Sequence, residues 1–174
     1  MADIGRRFVV VSGPPASGKS TIAPAIAAHL GLPLIAKDTI KETLMSALGA
    51  PDVETSKRLG RAAVATVFAL ATESPVGAVL DGNFHRSIAV DALAGLPGSV
   101  VEVFCRCSRD ETAGRYAARA GTRHPGHFDE VRSAEDLWTP ETSEPIAGGW
   151  PVLEVNTEHP LDLAEVLAFV DLTG

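Results

Sequence analysis

Residues 6–21 run without a spacer from β-branched and aromatic side chains, through a loop bracketed by glycines, into a helical pattern. Phe8, Val9, Val10 and Val11 read as a strand, and residues 21–30 carry the apolar spacing of a helix. Between them Gly13-Pro14-Pro15-Ala16-Ser17-Gly18-Lys19-Ser20, followed by Thr21, meets G-x-x-x-x-G-K-[ST] at every fixed position. A chain that must end a strand, turn and open a helix within so few residues is committed to an α/β unit, which excludes all-α and all-β architectures. Converging backbone N–H groups at a helix N-terminus meet phosphate oxygens, and the helix dipole favours their charge. Gly13 and Gly18 allow the close approach, Lys19 reaches the β- and γ-phosphates, and the Ser20 hydroxyl takes one position on Mg²⁺. The motif therefore reads as a nucleoside triphosphate site. Pro24 is expected to bend the helix that follows.

The 174 residues, 45% of them hydrophobic with a mean hydropathy of +0.14, suit one domain with a packed core and leave no room for a second catalytic domain. No apolar run approaches the ~20 residues that cross a bilayer, and the first residues lack a leader's hydrophobic segment, so a soluble, cytoplasmic protein is expected. Cys105 and Cys107 are too few and too close for a disulfide framework. The net charge of −7 is uneven: residues 1–128 carry 14 basic and 11 acidic side chains, residues 129–174 carry 1 and 11. Five arginines fall within residues 106–123, against only Asp110 and Glu111. That short segment suits a polyphosphate, whereas the acidic remainder argues against a long nucleic acid. Oligomeric state is not legible from the sequence.

Strand and helix patterns alternate along the chain: strands at 8–12, 33–36, 78–80, 100–105 and 152–155, and helices at 19–30, 39–48, 55–72, 87–93, 109–120 and 161–170. Such alternation predicts a parallel sheet covered by helices on both faces, with ligands at the carboxyl ends of the strands. Residues 121–149, rich in proline and glycine, read as lid and loop with a short helix over 129–137. There is no internal repeat.

Asp38 follows the second strand, where a carboxylate can orient an acceptor hydroxyl and take its proton; the other reading is a helix N-cap, and one Asp can do both. Lys41, three residues on, shares its helix face and is either a substrate contact or a solvated lysine. Asp81 ends an apolar strand, placed to hold Mg²⁺ or touch the acceptor if that strand neighbours the first, or else to form a turn with Gly82. Asn83, His85 and Arg86 become acceptor-site candidates by position. Arg115, Arg119 and Arg123, spaced by four, present cations to phosphates as a lid would, or form a salt-bridged surface helix. Cys105, Cys107, His124 and His127 do not match structural zinc spacings; Cys105 is expected in the core and the histidines near nucleotide or substrate. Trp138 and Trp150 are expected to cover apolar surface.

In this order Gly13 to Thr21, Asp38-x-x-Lys41, Leu80-Asp81-Gly82-Asn83-Phe84, the Arg115–Arg123 segment and the closing strand–helix unit resemble small P-loop kinases of the nucleoside-monophosphate-kinase-like class, the AAA-family ATPase-like kinases. The layout is similar to chloramphenicol phosphotransferase and to the kinase domain of polynucleotide kinase. The resemblance covers nearly the whole chain. It implies a three-layer P-loop NTPase fold with a five-stranded parallel sheet in the order 2-3-1-4-5, a helical lid about residues 115–128, and ATP with Mg²⁺. Carried over residue by residue, it makes Asp38, Lys19, Arg119 and Arg123 catalytic. Gly13, Pro14, Pro15, Ala16, Ser17, Gly18, Lys19, Ser20 and Thr21, with Arg115 and Arg119, would hold the nucleotide. By position and chemistry, Asp38, Lys41, Asp81, Asn83 and His85 are the candidates to hold the acceptor, and Ser20 and Asp81 the metal. Polynucleotide kinases carry Arg where this chain has Lys41, which with the acidic tail favours a small hydroxylated acceptor. The alternatives are a polynucleotide 5′-hydroxyl or nucleoside/nucleotide kinase, and an ATP-binding or ATPase module without an acceptor. A guanine-reading N/T-K-x-D element is missing, because no Lys is followed two residues later by Asp.

Overall fold

The computed structural model describes residues 5–119, 121–129 and 138–173. Its middle layer is a parallel sheet of β1 (Arg7–Ser12), β2 (Leu34–Ala36), β3 (Gly77–Asp81), β4 (Ser99–Arg106) and β5 (Val152–Asn156), ordered β2-β3-β1-β4-β5. Around it lie α1 (Lys19–Leu30), α2 (Lys37–Leu48), α3 (Val53–Glu73), α4 (Arg86–Ala94), α5 (Arg109–Ala118), the single turn α6 (Pro140–Ser143) and α7 (Leu163–Leu172), with a 3-10 turn at Pro125–His127. The expected fold and strand order are those observed.

β1 is hydrophobic along its length because both of its faces are covered. Phe8 and Val10 join Leu80, Val67 and Phe68 of α3 and Ala89 and Leu93 of α4; Val9 and Val11 join Val79, Val103, Ile22 and Ile26 of α1 and Val166 and Val170 of α7. Each such side chain contributes about 1.5–3 kcal/mol on burial, so the two half-cores pin β1 between its neighbours. In the parallel register Val11 lies opposite both Asp81 and Val103. The strand ends that follow therefore open on one edge, and Asp81 arrives beside the β1–α1 loop.

Boundaries moved where caps decide them. α2 begins directly after β2, at Lys37, with Ala36 at the cap position offering no side-chain acceptor. Asp38 thus stands inside the first turn, which corrects the N-cap reading. α5 stops at Ala118, two residues before the expected end, with Arg119 at its C-cap. Asp162 accepts from Glu165 N at 3.2 Å and starts α7 two residues later than the apolar pattern implied. Helix α1 continues through Pro24. The short helix expected over 129–137 lies, apart from residue 129, outside the described residues. No described helix is long and apolar enough to cross a membrane.

Glu102 is a carboxylate inside the sheet: it sits in β4 opposite Val10 and is fully buried. Its carboxylate accepts from Ser12 Oγ (2.6 Å), Ile146 N (2.9 Å), Ala147 N (2.9 Å) and Trp150 Nε1 (3.2 Å). One side chain thereby ties the segment before β5 to the residue that leads into the glycine loop. Trp150 packs on the core as expected, yet its indole N–H is also committed. Glu102→Leu would strand four donors, of which Ser12 Oγ and Ile146 N are buried and cost about 1–3 kcal/mol each when unmet. We expect it to lower unfolding free energy by at least ~3 kcal/mol in urea titrations, and Ser12→Ala by about 1 kcal/mol; a loss under ~1 kcal/mol for Glu102→Leu would show that the donors find other partners.

Candidate active site

The β1–α1 loop is shaped by residues that ordinary side chains tolerate poorly. Gly13 has φ of +136°, and a Cβ there would lie 2.6 Å from the Cys105 carbonyl oxygen. Ala16 and Gly18 also adopt positive φ, at 65° and 88°. Alternating left-handed residues into a loop turns successive N–H groups toward one concavity, which suits an anion. Lys19 is 8% exposed, and its Nζ arches back to donate to the Pro14 carbonyl at 2.6 Å. Burial lowers its pKa, partly offset by the attraction of Asp81. The donor set of backbone amides, ammonium and the exposed Ser20 hydroxyl fits a polyphosphate with a hard cation.

Asp81 stands at the end of β3; burial raises its pKa, and Lys19 and the nearby Ser20 hydroxyl oppose the rise. Facing it, Asp38 takes part in two ion pairs, to Lys37 Nζ at 3.4 Å and to Arg123 Nη2 at 2.9 Å. Lys37 also donates to Asn83 Oδ1. The Asp38 side chain is about half exposed; the desolvation it suffers opposes its charge, but Lys37, Arg123, His127 and Lys19 together outweigh it and hold the carboxyl well below the usual range.

Arg123 reaches this site from the segment after α5. Its Nη1 donates to Asp129 Oδ2 at 3.1 Å, and the Asp129 side chain is 5% exposed and also bonded by the Tyr116 hydroxyl. His127 Nε2 lies 2.8 Å from Glu42 Oε1, while its ring faces Arg123. Burial and Arg123 lower the His127 pKa. A neutral ring that donates Nε2–H to Glu42 and turns Nδ1 toward the guanidinium satisfies both contacts. On the other side Arg115 binds Glu111 at 2.8 Å and the Thr157 carbonyl at 2.8 Å, and Thr157 in turn borders Gly18. Arg119 lies over the Tyr116 ring, 5.5 Å from its centroid, with Nε buried and without a hydrogen-bond partner among the described residues.

These groups enclose a cavity of about 390 Å³. Pro15, Ala16, Gly18, Lys19, Ser20 and Thr21 form one wall. Lys37, Asp38 and Lys41 of α2, with Asp81, Gly82 and Asn83 after β3, form a second, and Arg115, Tyr116, Arg119, Arg123 and His127 roof them. Gly13, Pro14 and Ser17 shape the loop from outside this lining. His85 also lies outside it, at the cap of α4, with Arg86 opening that helix. Cys105 is buried under the loop, where burial pushes its thiol up to about 12. The sequence alone assigns no site role to Glu42, Tyr116, Asp129 or Thr157. Their contacts join distant segments and leave no local spacing to read.

Because pairing depresses the Asp38 pKa, its contribution to stability is present above the carboxylate range and is lost as pH falls through it. We expect the urea midpoint to fall further between about pH 6 and pH 3 for the wild type than for Asp38→Asn. Equal falls would show that the ion pairs of Asp38 add nothing to stability.

A family model described as AAA domain matches residues 8–135, and the chain belongs to that family. A candidate kinase of Chloroflexus aurantiacus is similar in structure with a TM-score of 0.85 and 27% identity, covering 98% of this chain and 99% of its own. A gluconokinase of Sinorhizobium meliloti follows at TM-score 0.56 and 25% identity, covering 94% of this chain and 88% of its own. A cytidylate kinase of Ignicoccus hospitalis is 27% identical over 139 residues, 74% of each chain. The chain is a kinase of the P-loop, nucleoside-monophosphate-kinase-like class.

Proposed function

We propose that this member of the AAA domain family transfers the γ-phosphoryl group of ATP to a hydroxyl of a small molecule, with Asp38 as the base. The observation that carries the reading is that Lys19 of the glycine loop, Asp81 and Asp38 line one cavity roofed by arginines, with Asp38 within the electrostatic reach of Lys19.

In this reading the amides of residues 13–21 and the Lys19 ammonium hold the phosphates, Arg115 and Arg119 flank the nucleotide, and Ser20 and Asp81 hold Mg²⁺. The ion, when bound, neutralises charge on the phosphate oxygens. Asp38 aligns the acceptor O–H; as its oxygen bonds to the γ-phosphorus, the bond to the β–γ bridging oxygen breaks, ADP departs and the proton passes to the Asp38 carboxylate. A carboxylate with so low a pKa is a weak base, which suits a loose transition state where the hydroxyl keeps its proton until late. Residues 115–128 act as the lid, and Arg119 and Arg123 stabilise the charge on the transferring group while water is excluded. The likeness to a cytidylate kinase supports a second reading, a nucleoside monophosphate as acceptor.

The test is transfer of label from γ-labelled ATP with Mg²⁺ to a panel of hydroxyl compounds, nucleosides, nucleotides and 5′-hydroxyl oligonucleotides. Lys19→Ala is expected to abolish transfer. Asp38→Asn should keep nucleotide affinity within about threefold while cutting transfer by roughly 10²–10⁴. Undiminished transfer by Asp38→Asn removes it as the base, and ATP hydrolysis indifferent to every acceptor turns the assignment to an ATPase.

A further inference from the structure

Lys37 opens α2 and is a cation that the mechanism above leaves unused. Its side chain is 13% exposed and lines the cavity together with Lys19, Ser20 and Asp81. The stem lies against the end of β3: a Cβ added at Gly82 would sit 3.1 Å from Lys37 Cβ, and Gly82 N donates to the Val11 carbonyl of β1 at 3.3 Å. Lys37 therefore leaves its helix beside the strand ends that carry the glycine loop and Asp81. Its charge is felt by both, opposing the ammonium of Lys19 and favouring the carboxylate of Asp81.

The ammonium is held but only partly balanced. Nζ donates to Asn83 Oδ1, a neutral acceptor that solvates a charge without cancelling it. It also lies 3.4 Å from Asp38 Oδ1, and the same carboxylate takes Arg123 at 2.9 Å, so one anion serves two cations. Burying a charge in this state is costly until a ligand brings an anion to it. A flexible four-carbon stem lets Nζ swing from Asn83 into the cavity while the helix stays in place.

The loop amides and Lys19 meet a triphosphate from one wall and the arginines from the roof. In-line transfer brings the γ-phosphoryl group toward Asp38, and Lys37, its neighbour in sequence and in space, faces that point from the second wall. We propose that Lys37 is a further catalytic residue, whose ammonium contacts the γ-phosphoryl oxygens and stays on them as the group passes to the acceptor. Lys37 keeps its proton throughout and supplies charge alone. Its catalytic role rests on the phosphotransfer reading above, whereas the contact is testable without transfer.

On the full chain with Mg²⁺ and no acceptor, calorimetric titration compares ADP with the β,γ-imido analogue of ATP. ADP should bind the wild type, Lys37→Arg and Lys37→Met within about twofold, which also shows each variant to be folded. The analogue should bind Lys37→Met about tenfold or more weakly than the wild type, with most of the loss recovered in Lys37→Arg. An unchanged analogue affinity, or a loss that ADP shares, overturns the inference. The same loss should appear when Lys37→Met is added to Asp38→Asn; its disappearance there assigns the effect to an unbalanced Asp38 and overturns the contact. In the label-transfer assay kcat of Lys37→Met should fall by about 10²-fold, with the acceptor KM within about threefold. A raised acceptor KM at unchanged kcat places Lys37 on the acceptor and overturns the catalytic role. A Lys37-dependent preference for the triphosphate with no label transferred by the wild type sinks the phosphotransfer reading, and the catalytic role with it, while the contact stands.

Discussion

The parallel pairing of β1 with β3 on one side and β4 on the other is the constraint on which the rest of the molecule depends. Because the three strands run in one direction and in register, Ser12, Asp81 and Cys105 end at one edge. The glycine loop leaves that edge with its backbone pressed against the Cys105 carbonyl, which is why Gly13 carries no side chain. Two half-cores hold β1 from its two sides, and Glu102 adds a polar pin between Ser12, the last residue of β1, and the segment before β5. A site built on strand ends in this way inherits the rigidity of the sheet.

Electrostatics then divide the cavity. Lys19 and Asp81 oppose one another beside the glycine loop, and burial moves both toward neutrality. Asp38 goes the other way, because Lys37, Arg123, His127 and Lys19 favour its charged form more than burial opposes it. The same carboxylate is therefore well placed and firmly held. The tie from Arg123 crosses 85 residues of sequence and joins the segment after α5 to the first turn of α2.

Several parts of this were legible in the chain itself. The glycine loop, its strand and its helix follow from residues adjacent in sequence, since steric freedom, hydrophobic run and cap are all local properties. The remaining strands and the long helices follow from hydrophobic pattern, and the strand order rested on the resemblance to small P-loop kinases. Asp38 and Asp81 were found because carboxylates at strand ends face the ligand edge in any such sheet. Boundaries are less legible: the apolar pattern starts the second helix at residue 39 and puts Asp38 at its cap, whereas the helix begins at Lys37. Glu102 escaped notice because an acid within an apolar strand has no signature until its four donors are brought to it.

The sequence by itself determined the α/β class, the phosphate-binding loop and the candidate residues, because each is written in the geometry and chemistry of neighbours along the chain. Tertiary structure alone decided that Arg123 meets Asp38, that Asp129 backs Arg123, that His127 leans on Glu42, and that Lys41 is buried against Gly60. Those contacts depend on how the segment after α5 folds back over α2 and how α2 packs on α3. Such long-range closure has no period or spacing, since its energy comes from surfaces that meet only once the sheet has formed.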